Sequence, residues 1–152
     1  MTTDTKEKTL VVIQLTGGND FMNTVVPYNN EHYYDARKKI VISQNDVLPI
    51  NDTLAINNNA RPLKRLFDEG KVAIVQGIGY PNSNRSHFRG MDIWHTCEPN
   101  RVGSEGWLGL AIKDLDPKGE NVLTGVNIGQ GLPRAMSVAG VPITSVGDLE
   151  GY

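Results

Sequence analysis

The sequence predicts an α/β fold in which a mainly parallel sheet is flanked by helices on both faces. Residues 9–15 and 72–77 are nearly unbroken apolar runs, and glycines stop both of them. Short apolar runs of this kind are typical of strands that are buried on both faces of a parallel sheet. Segments with helical spacing of apolar residues alternate with these runs, and this alternation favours parallel pairing.

Two helices and a short hairpin are predicted between the apolar runs. Residues 29–39 begin with asparagines and an acid and end with two lysines, an order that suits both ends of a helix. Residues 40–50 are typical of one or two short strands in a peripheral hairpin. A second helix is predicted near residues 60–69, because Pro62 suits a first helical turn and Gly70 suits a helix end.

The remainder of the chain continues the alternation of helices and strands. Residues 86–96 and 106–115 carry apolar residues at helical spacing. Three further strands are predicted, at residues 121–128, 134–138 and 141–143. The pattern ends at residues 148–152 with no helix behind the last strand. Residues 1–152 are therefore expected to be the N-terminal part of a single domain whose C-terminal half is missing.

Composition and charge argue against several classes of protein. The chain has 152 residues, of which 39% are hydrophobic and 21% are charged, as in soluble globular proteins. A net charge of −2 predicts neither a nucleic-acid nor a membrane partner. The apolar run is too short to cross a bilayer, and residues 1–9 lack the pattern of a signal peptide. The sequence as written predicts a cytoplasmic protein, or an exported periplasmic one if an N-terminal signal is missing.

Three residues that often carry chemistry are predicted to be structural. Cys97 is the single cysteine, so an intrachain disulfide and a cysteine-rich zinc site are excluded. We expect its thiol to be a neutral packing group. Trp94 and Trp107 are expected to belong to the core.

A first candidate site lies in the polar loop that follows the first apolar run. Residues 17–20 read Gly-Gly-Asn-Asp, and a carboxylate at the end of a strand, Asp20, can bind a cation through oxygen. Asn19 can donate a hydrogen bond to a ligand oxygen. Ligands of open α/β sheets bind at this edge. The alternative interpretation is a turn followed by an aspartate that caps a helix.

A second candidate site lies in the loop that follows the second apolar run. Ser86 is predicted at the start of a helix, where free N–H groups and the helix dipole stabilise a phosphate or an alkoxide. Arg85 offers a forked cation for phosphate or sulfate oxygens. His87 cannot form a triad with Ser86, because adjacent side chains on a helix diverge, but it can serve as a metal ligand. The alternative interpretation is that Ser86 only caps the helix.

Three blocks of sequence resemble a known family. The first contains LVVIQLTGGND (residues 10–20) and NTVVPY (23–28); the second contains GKVAIVQGIGYP (70–81), NRSHF (84–88) and DIW (92–94); the third is GWLG (106–109). These blocks resemble the bacterial domain of unknown function 1501 family. That family is similar to the alkaline-phosphatase and sulfatase superfamily.

The resemblance implies an alkaline-phosphatase-like fold and metal-dependent hydrolysis of a small phosphate or sulfate ester. Superfamily members place a metal-binding aspartate after the first strand, which matches Asp20, and a nucleophile at the start of a later helix, which matches Ser86. The implied cofactor is a divalent ion (zinc, calcium, magnesium or manganese). Arg85 and Asn19 would steady the substrate oxygens. Other ligands would come from the missing C-terminal half, so the chain alone is expected to be inactive.

Two other functions stay open. A non-catalytic binding or assembly protein on the same fold is favoured by the missing ligands. It is also favoured by Asn57 and Asn58, which stand where the family commonly has His-Pro. Phe21 likewise replaces a typical glycine. A serine esterase would place residues 17–20 at an oxyanion hole and would require a histidine base and an acid beyond residue 152.

Overall fold

A computed structural model of the chain describes residues 8–15 and 17–147. The chain divides into two compact units between residues 76 and 77. The sequence interpretations of residues 1–7, of Thr16 and of residues 148–152 lie outside the described residues. The assignment of residues 1–152 to one domain stays a prediction.

The described part of the first unit contains three short helices and a three-stranded antiparallel sheet. In chain order they are α1 (Phe21–Thr24), β1 (Val25–Val26), α2 (Glu31–Ala36), β2 (Val47–Pro49), β3 (Ala55–Asn57) and α3 (Arg61–Asp68). Strand β3 is central and pairs antiparallel with both β1 and β2. Two 3₁₀ turns, Gln44–Asp46 and Asn58–Ala60, precede β2 and α3.

The core of the first unit lies between this sheet and α2. Val26 and Ile56 are fully buried, and Val26 packs in one cluster with Tyr33, Val47 and Ala55. Polar side chains shape the turns around this core. Asn51 Oδ1, for example, accepts the backbone N–H groups of Thr53 and Leu54 between β2 and β3.

The described part of the second unit contains two longer helices and a small parallel sheet. The elements are α4 (His87–Thr96), α5 (Trp107–Leu115), β4 (Val126–Ile128) and β5 (Thr144–Val146). Strands β4 and β5 pair in parallel. Both helices contact the 3₁₀ turn Arg134–Met136. The buried residues of this unit include Ile93 of α4, Ile112 of α5, and Met136.

The prediction of an alkaline-phosphatase-like fold, with a mainly parallel sheet flanked by helices on both faces, is wrong. The described residues form one antiparallel sheet of three strands and one parallel sheet of two. Residues 9–15 and 72–77, the two expected buried strands, belong to neither sheet. Leu10 is 76% exposed and Ile13 is 80% exposed. Apolar character shows that a segment can be buried, but a strand also requires a neighbouring backbone that accepts and donates its hydrogen bonds.

Predictions of individual helices are confirmed, with shorter bounds. The segments 29–39, 60–69, 86–96 and 106–115 contain α2, α3, α4 and α5. Asn30 caps α2, and Gly70 follows α3 with a positive φ of 69°.

Predictions of strands are less accurate than those of helices. Residues 134–138 contain a 3₁₀ turn rather than a strand, and β5 begins just beyond residues 141–143. The segment 121–128 contains β4 at its end. Residues 40–50 contain β2, but they do not form a hairpin by themselves, because β2 pairs with β3, which lies beyond them.

Two predicted core residues are exposed to solvent. Trp94 is 57% exposed and Trp107 is 38% exposed, so their assignment to the core is wrong. Helical spacing placed them correctly on helices, but spacing alone does not show which helix face meets a neighbour. None of the helices in the described segments combines the length and apolar character needed to cross a membrane.

Candidate functional site

Asp20 lies at the start of α1 and caps it. Its Oδ1 accepts the backbone N–H of Met22 at 3.1 Å, and its backbone is extended, as is usual at this position. Its Oδ2 accepts a hydrogen bond from Arg37 Nη1 at 2.5 Å. Both carboxylate oxygens therefore have protein partners, and the interpretation of residues 17–20 as a turn followed by a capping aspartate describes the local structure.

The surroundings of Asp20 favour its ionised form. The hydrogen bond from Arg37 is the largest influence, and it holds the pKa of the Asp20 carboxyl below its ordinary value. Partial burial opposes this change, whereas the positive charge of Arg37 and the backbone N–H groups of Met22 and Asn23 support it. A cation that bound Asp20 would have to compete with Arg37 for the same oxygen.

A polar network next to Asp20 holds its partner in place. The Arg37 guanidinium lies 6.0 Å from the centre of the Tyr33 ring, within the range of a cation–π contact. The Tyr33 hydroxyl donates to Asn23 Oδ1 at 2.7 Å. Asn57 Nδ2 donates to the Asn23 carbonyl at 2.7 Å and thereby joins β3 to α1. Asn57, one of the departures from the resembled family, thus has a structural role here.

Asn19 is exposed and participates in the same turn. Its Oδ1 accepts the hydroxyl of Thr24 at 3.0 Å, and that hydroxyl also approaches the Asp20 carbonyl at 2.9 Å. This carboxamide oxygen already accepts a hydrogen bond within the loop. The side-chain N–H groups of Asn19 are the groups that can donate a hydrogen bond to a ligand oxygen.

Ser86 is the N-cap residue of α4. Its Oγ accepts the backbone N–H of Arg89 at 3.4 Å, and its own N–H donates to Asn84 Oδ1 at 2.7 Å. The side chain is exposed, as are those of Arg85 and His87. The predicted helix start is therefore confirmed, and the hydroxyl lies in an accessible first turn where free N–H groups favour an anion.

The structure places the five predicted site residues in two groups. Asn19 and Asp20 belong to the first unit, and Arg85, Ser86 and His87 are consecutive residues of the second. Within each group the residues share a loop or a helix start.

A cluster of charged residues in the second unit was not expected from the sequence. Asp92 pairs with both Arg89 and Arg134, and its side chain is only 12% exposed. Arg89 and Asp92 are three residues apart on a helix, a spacing that brings side chains together. The sequence contains no comparable signal for Arg134, because it reaches the cluster from a distant turn.

The described residues do not provide a complete metal site. Among them, no three histidine, cysteine, aspartate or glutamate side chains are grouped as metal ligands. Cys97 is exposed and closes α4 in a left-handed conformation with φ of 57°, so its predicted packing role is wrong. The assignment of a divalent ion to Asp20 and His87 therefore stays a prediction.

Comparisons of the chain with protein-family models, with curated proteins and with solved structures find no match.

Proposed function

We propose that this chain supplies the nucleophile of a hydrolase that acts on a small phosphate or sulfate ester, and that the nucleophile is Ser86. The observation that carries the proposal is the position of the Ser86 hydroxyl, which is exposed at the first turn of α4 and accepts the Arg89 N–H. A hydrogen bond donated to this oxygen favours its negatively charged form.

The charges near Ser86 support recognition of an anion. Arg85 precedes the helix, and Arg89 lies in its first turn. A positive charge near a helix N-terminus interacts unfavourably with the helix dipole, and each such charge destabilises the helix by about 0.3–1 kcal/mol. The exposed Arg85 guanidinium attracts a phosphate or sulfate group to the N–H groups of that terminus, whereas the Arg89 guanidinium is paired with Asp92. Arg85, which is exposed, is the residue we assign to the oxygens of the ester.

The proposed reaction forms and then breaks one covalent bond to Ser86. The Oγ attacks phosphorus or sulfur, the bond to the ester oxygen breaks, and the proton that the Ser86 hydroxyl loses is taken up by the leaving alcohol. Water then attacks the seryl ester, restores the hydroxyl and releases phosphate or sulfate.

A metal ion does not fit the described residues by themselves. Arg37 already neutralises Asp20, and His87 lies in the other unit. We propose Asp20 and His87 only as separate candidate ligands for zinc, calcium, magnesium or manganese, since the described residues supply no group of three ligands. No step above depends on this ion. The proposed compartment is the cytoplasm, or the periplasm if an export signal precedes this sequence.

Turnover by the full-length protein tests the assignment of Ser86. With p-nitrophenyl phosphate and p-nitrophenyl sulfate as substrates, Ser86→Ala should lower kcat by at least about a thousandfold, because the covalent path is lost. The matched control is Ser83→Ala, an exposed serine of the same loop, which should retain activity. Equal activity in Ser86→Ala and the wild type would refute the role of Ser86.

The second candidate function is binding or assembly without catalysis. The observation that favours it is the pairing of Asp20 with Arg37, which leaves neither carboxylate oxygen without a protein partner. Elemental analysis of the full-length protein separates the two functions. A stoichiometric divalent metal that is lost in Asp20→Ala would support the metal-dependent hydrolase, whereas metal-free protein without ester hydrolysis would support the binding function.

A further inference from the structure

Two arginines and one aspartate form a cluster that begins one helical turn after Ser86, and its central side chain, Asp92, is 12% exposed. Arg89 Nη1 pairs with Asp92 Oδ2, and Arg134 Nη1 lies 2.7 Å from Asp92 Oδ1. The contact with Arg134 is electrostatic rather than a directed hydrogen bond, because Asp92 Oδ1 is buried without a hydrogen-bond partner among the described residues. Burying a carboxylate is costly unless it is paired. The two guanidinium groups therefore hold Asp92 in place.

Both arginines also hold one loop through its backbone. Arg89 Nη2 donates hydrogen bonds of 2.6–3.0 Å to three carbonyl oxygens, those of Glu98, Pro99 and Arg101. Arg134 Nη2 donates to the carbonyl of Gly103. The cluster thus joins α4, residues 98–103 and the turn that contains Arg134.

The backbone of Arg89 connects this cluster to Ser86. The Arg89 N–H is the group that donates to Ser86 Oγ, at 3.4 Å. Because the Arg89 side chain is bound to Asp92 and to the loop carbonyls, the first turn of α4 has little freedom to rotate. The cost of a cation at this end of the helix is offset by the pairing with Asp92.

We propose that Arg89, Asp92 and Arg134 are positioning residues that fix the orientation of the Ser86 hydroxyl. None of the three touches the ester. Their effect on catalysis rests on the proposed function, whereas their effect on the Ser86 cap does not. The two effects can therefore be measured separately.

Amide hydrogen exchange in the full-length protein tests the effect on the cap without any substrate. The Arg89 amide is protected by Ser86, so Ser86→Ala should accelerate its exchange by about fivefold, as expected for loss of a cap worth about 1 kcal/mol. Asp92→Asn should produce a similar acceleration at Arg89. The Leu110 amide in α5, which donates to Gly106, should not change. Uniform acceleration at Arg89 and Leu110 would show a general loss of stability and would overturn the proposal.

Two further variants keep the test decisive. Glu98→Gln removes the exposed Arg101–Glu98 ion pair, which has the same three-residue spacing, and should leave the Arg89 amide unchanged. Arg89→Lys keeps the positive charge but loses the forked contacts, so it should accelerate exchange even if Asp92→Asn does not fold. An unchanged Arg89 amide in Arg89→Lys would overturn the proposal.

Steady-state kinetics tests the effect on catalysis. In Asp92→Asn and Arg89→Lys, kcat should fall about tenfold or more, while KM should change by less than about twofold. Selective loss of amide protection with unchanged kcat would overturn the catalytic part of the inference. If the wild type hydrolyses neither ester, the proposed function fails, and the exchange result still decides whether the cluster positions Ser86.

Discussion

At the scale of single residues, Asp20 and Ser86 occupy equivalent positions in two different helices. Each caps a helix by accepting a backbone N–H. They differ in whether the side chain keeps a group that can still interact with a ligand. The second oxygen of Asp20 is paired with Arg37, whereas the Ser86 hydroxyl is exposed and keeps its own proton to donate or to lose. The proposed chemistry therefore rests on Ser86 rather than on Asp20.

The Asp20–Arg37 pair should make the stability of the first unit depend on pH. Since the folded pKa of Asp20 is lowered, its contribution is fully present above the ordinary aspartate pKa of about 3.9 and is lost as the pH falls through the lower folded value. Asp20→Asn keeps a capping side chain but loses the ion pair. At neutral pH it should lower Tm slightly, because a partly exposed pair contributes little.

Thermal melts of Asp20→Asn and the wild type at pH 7 and below pH 3 check this dependence. The difference in Tm should shrink at the lower pH. Asp52→Asn is the charge-matched control, since Asp52 is exposed and has no ion pair in the described structure. A difference for Asp20→Asn that persists unchanged in acid would contradict the assigned ion pair.

At the scale of secondary-structure elements, α5 depends on glycines at its packed face. Gly106 and Gly109 lie one turn apart and are buried against residues 134–138. The Gly106 N–H also donates to the Ser137 carbonyl at 2.8 Å. Both glycines belong to GWLG, the third block of the family resemblance, and its glycines therefore have a packing role in this chain.

Gly106→Ala should destabilise the second unit. A Cβ atom at Gly106 would lie 2.1 Å from the Arg134 carbonyl oxygen, which requires a backbone shift. Overpacking of this kind costs about 1–3 kcal/mol, which urea titration can measure. Gly90→Ala in α4 is the control, because a Cβ there meets no atom within 4 Å. It should stabilise by up to about 1 kcal/mol through helix propensity. Equal free energies of unfolding for Gly106→Ala and the wild type would contradict the close packing.

Helices were predictable from sequence because their signals are local. Asn30, Pro62, Gly70 and Ser86 act within about one turn of the residues that they cap, begin or end. Strands were harder to predict, since each depends on a partner elsewhere in the chain. Residues 9–15 have the composition of a buried strand but belong to neither sheet of the described structure.

The candidate site shows the same difference between local and distant interactions. Both caps follow from the residue type and its neighbours. The partner of Asp20, Arg37, lies 17 residues away, and Arg134 lies 42 residues beyond Asp92. No periodicity or spacing in the sequence indicates contacts at such separations, so the engagement of Asp20 and the cluster at Asp92 required the structure.

At the scale of the whole molecule, the chain exposes many large apolar side chains. Leu10, Val11, Ile13 and Leu15 are each at least 67% exposed within six residues. A contiguous apolar stretch of this kind promotes association.

The 152-residue chain by itself should therefore associate in solution. Sedimentation velocity should show oligomers that the double variant Leu10→Ser with Ile13→Ser reduces, because it removes two of the most exposed apolar side chains. The control Leu115→Ser changes a leucine that is also 76% exposed but lies elsewhere, on α5, and it should have a smaller effect. A monomeric wild-type chain would contradict this prediction.

Capture of the covalent intermediate tests the assignment of Ser86 most directly. The full-length protein is mixed with p-nitrophenyl phosphate, quenched in acid, digested and analysed by mass spectrometry. We predict a phosphoryl group on Ser86, absent in Ser86→Ala and retained in Ser83→Ala. Ester turnover with an unmodified Ser86, or with the phosphoryl group on another residue, would contradict the account.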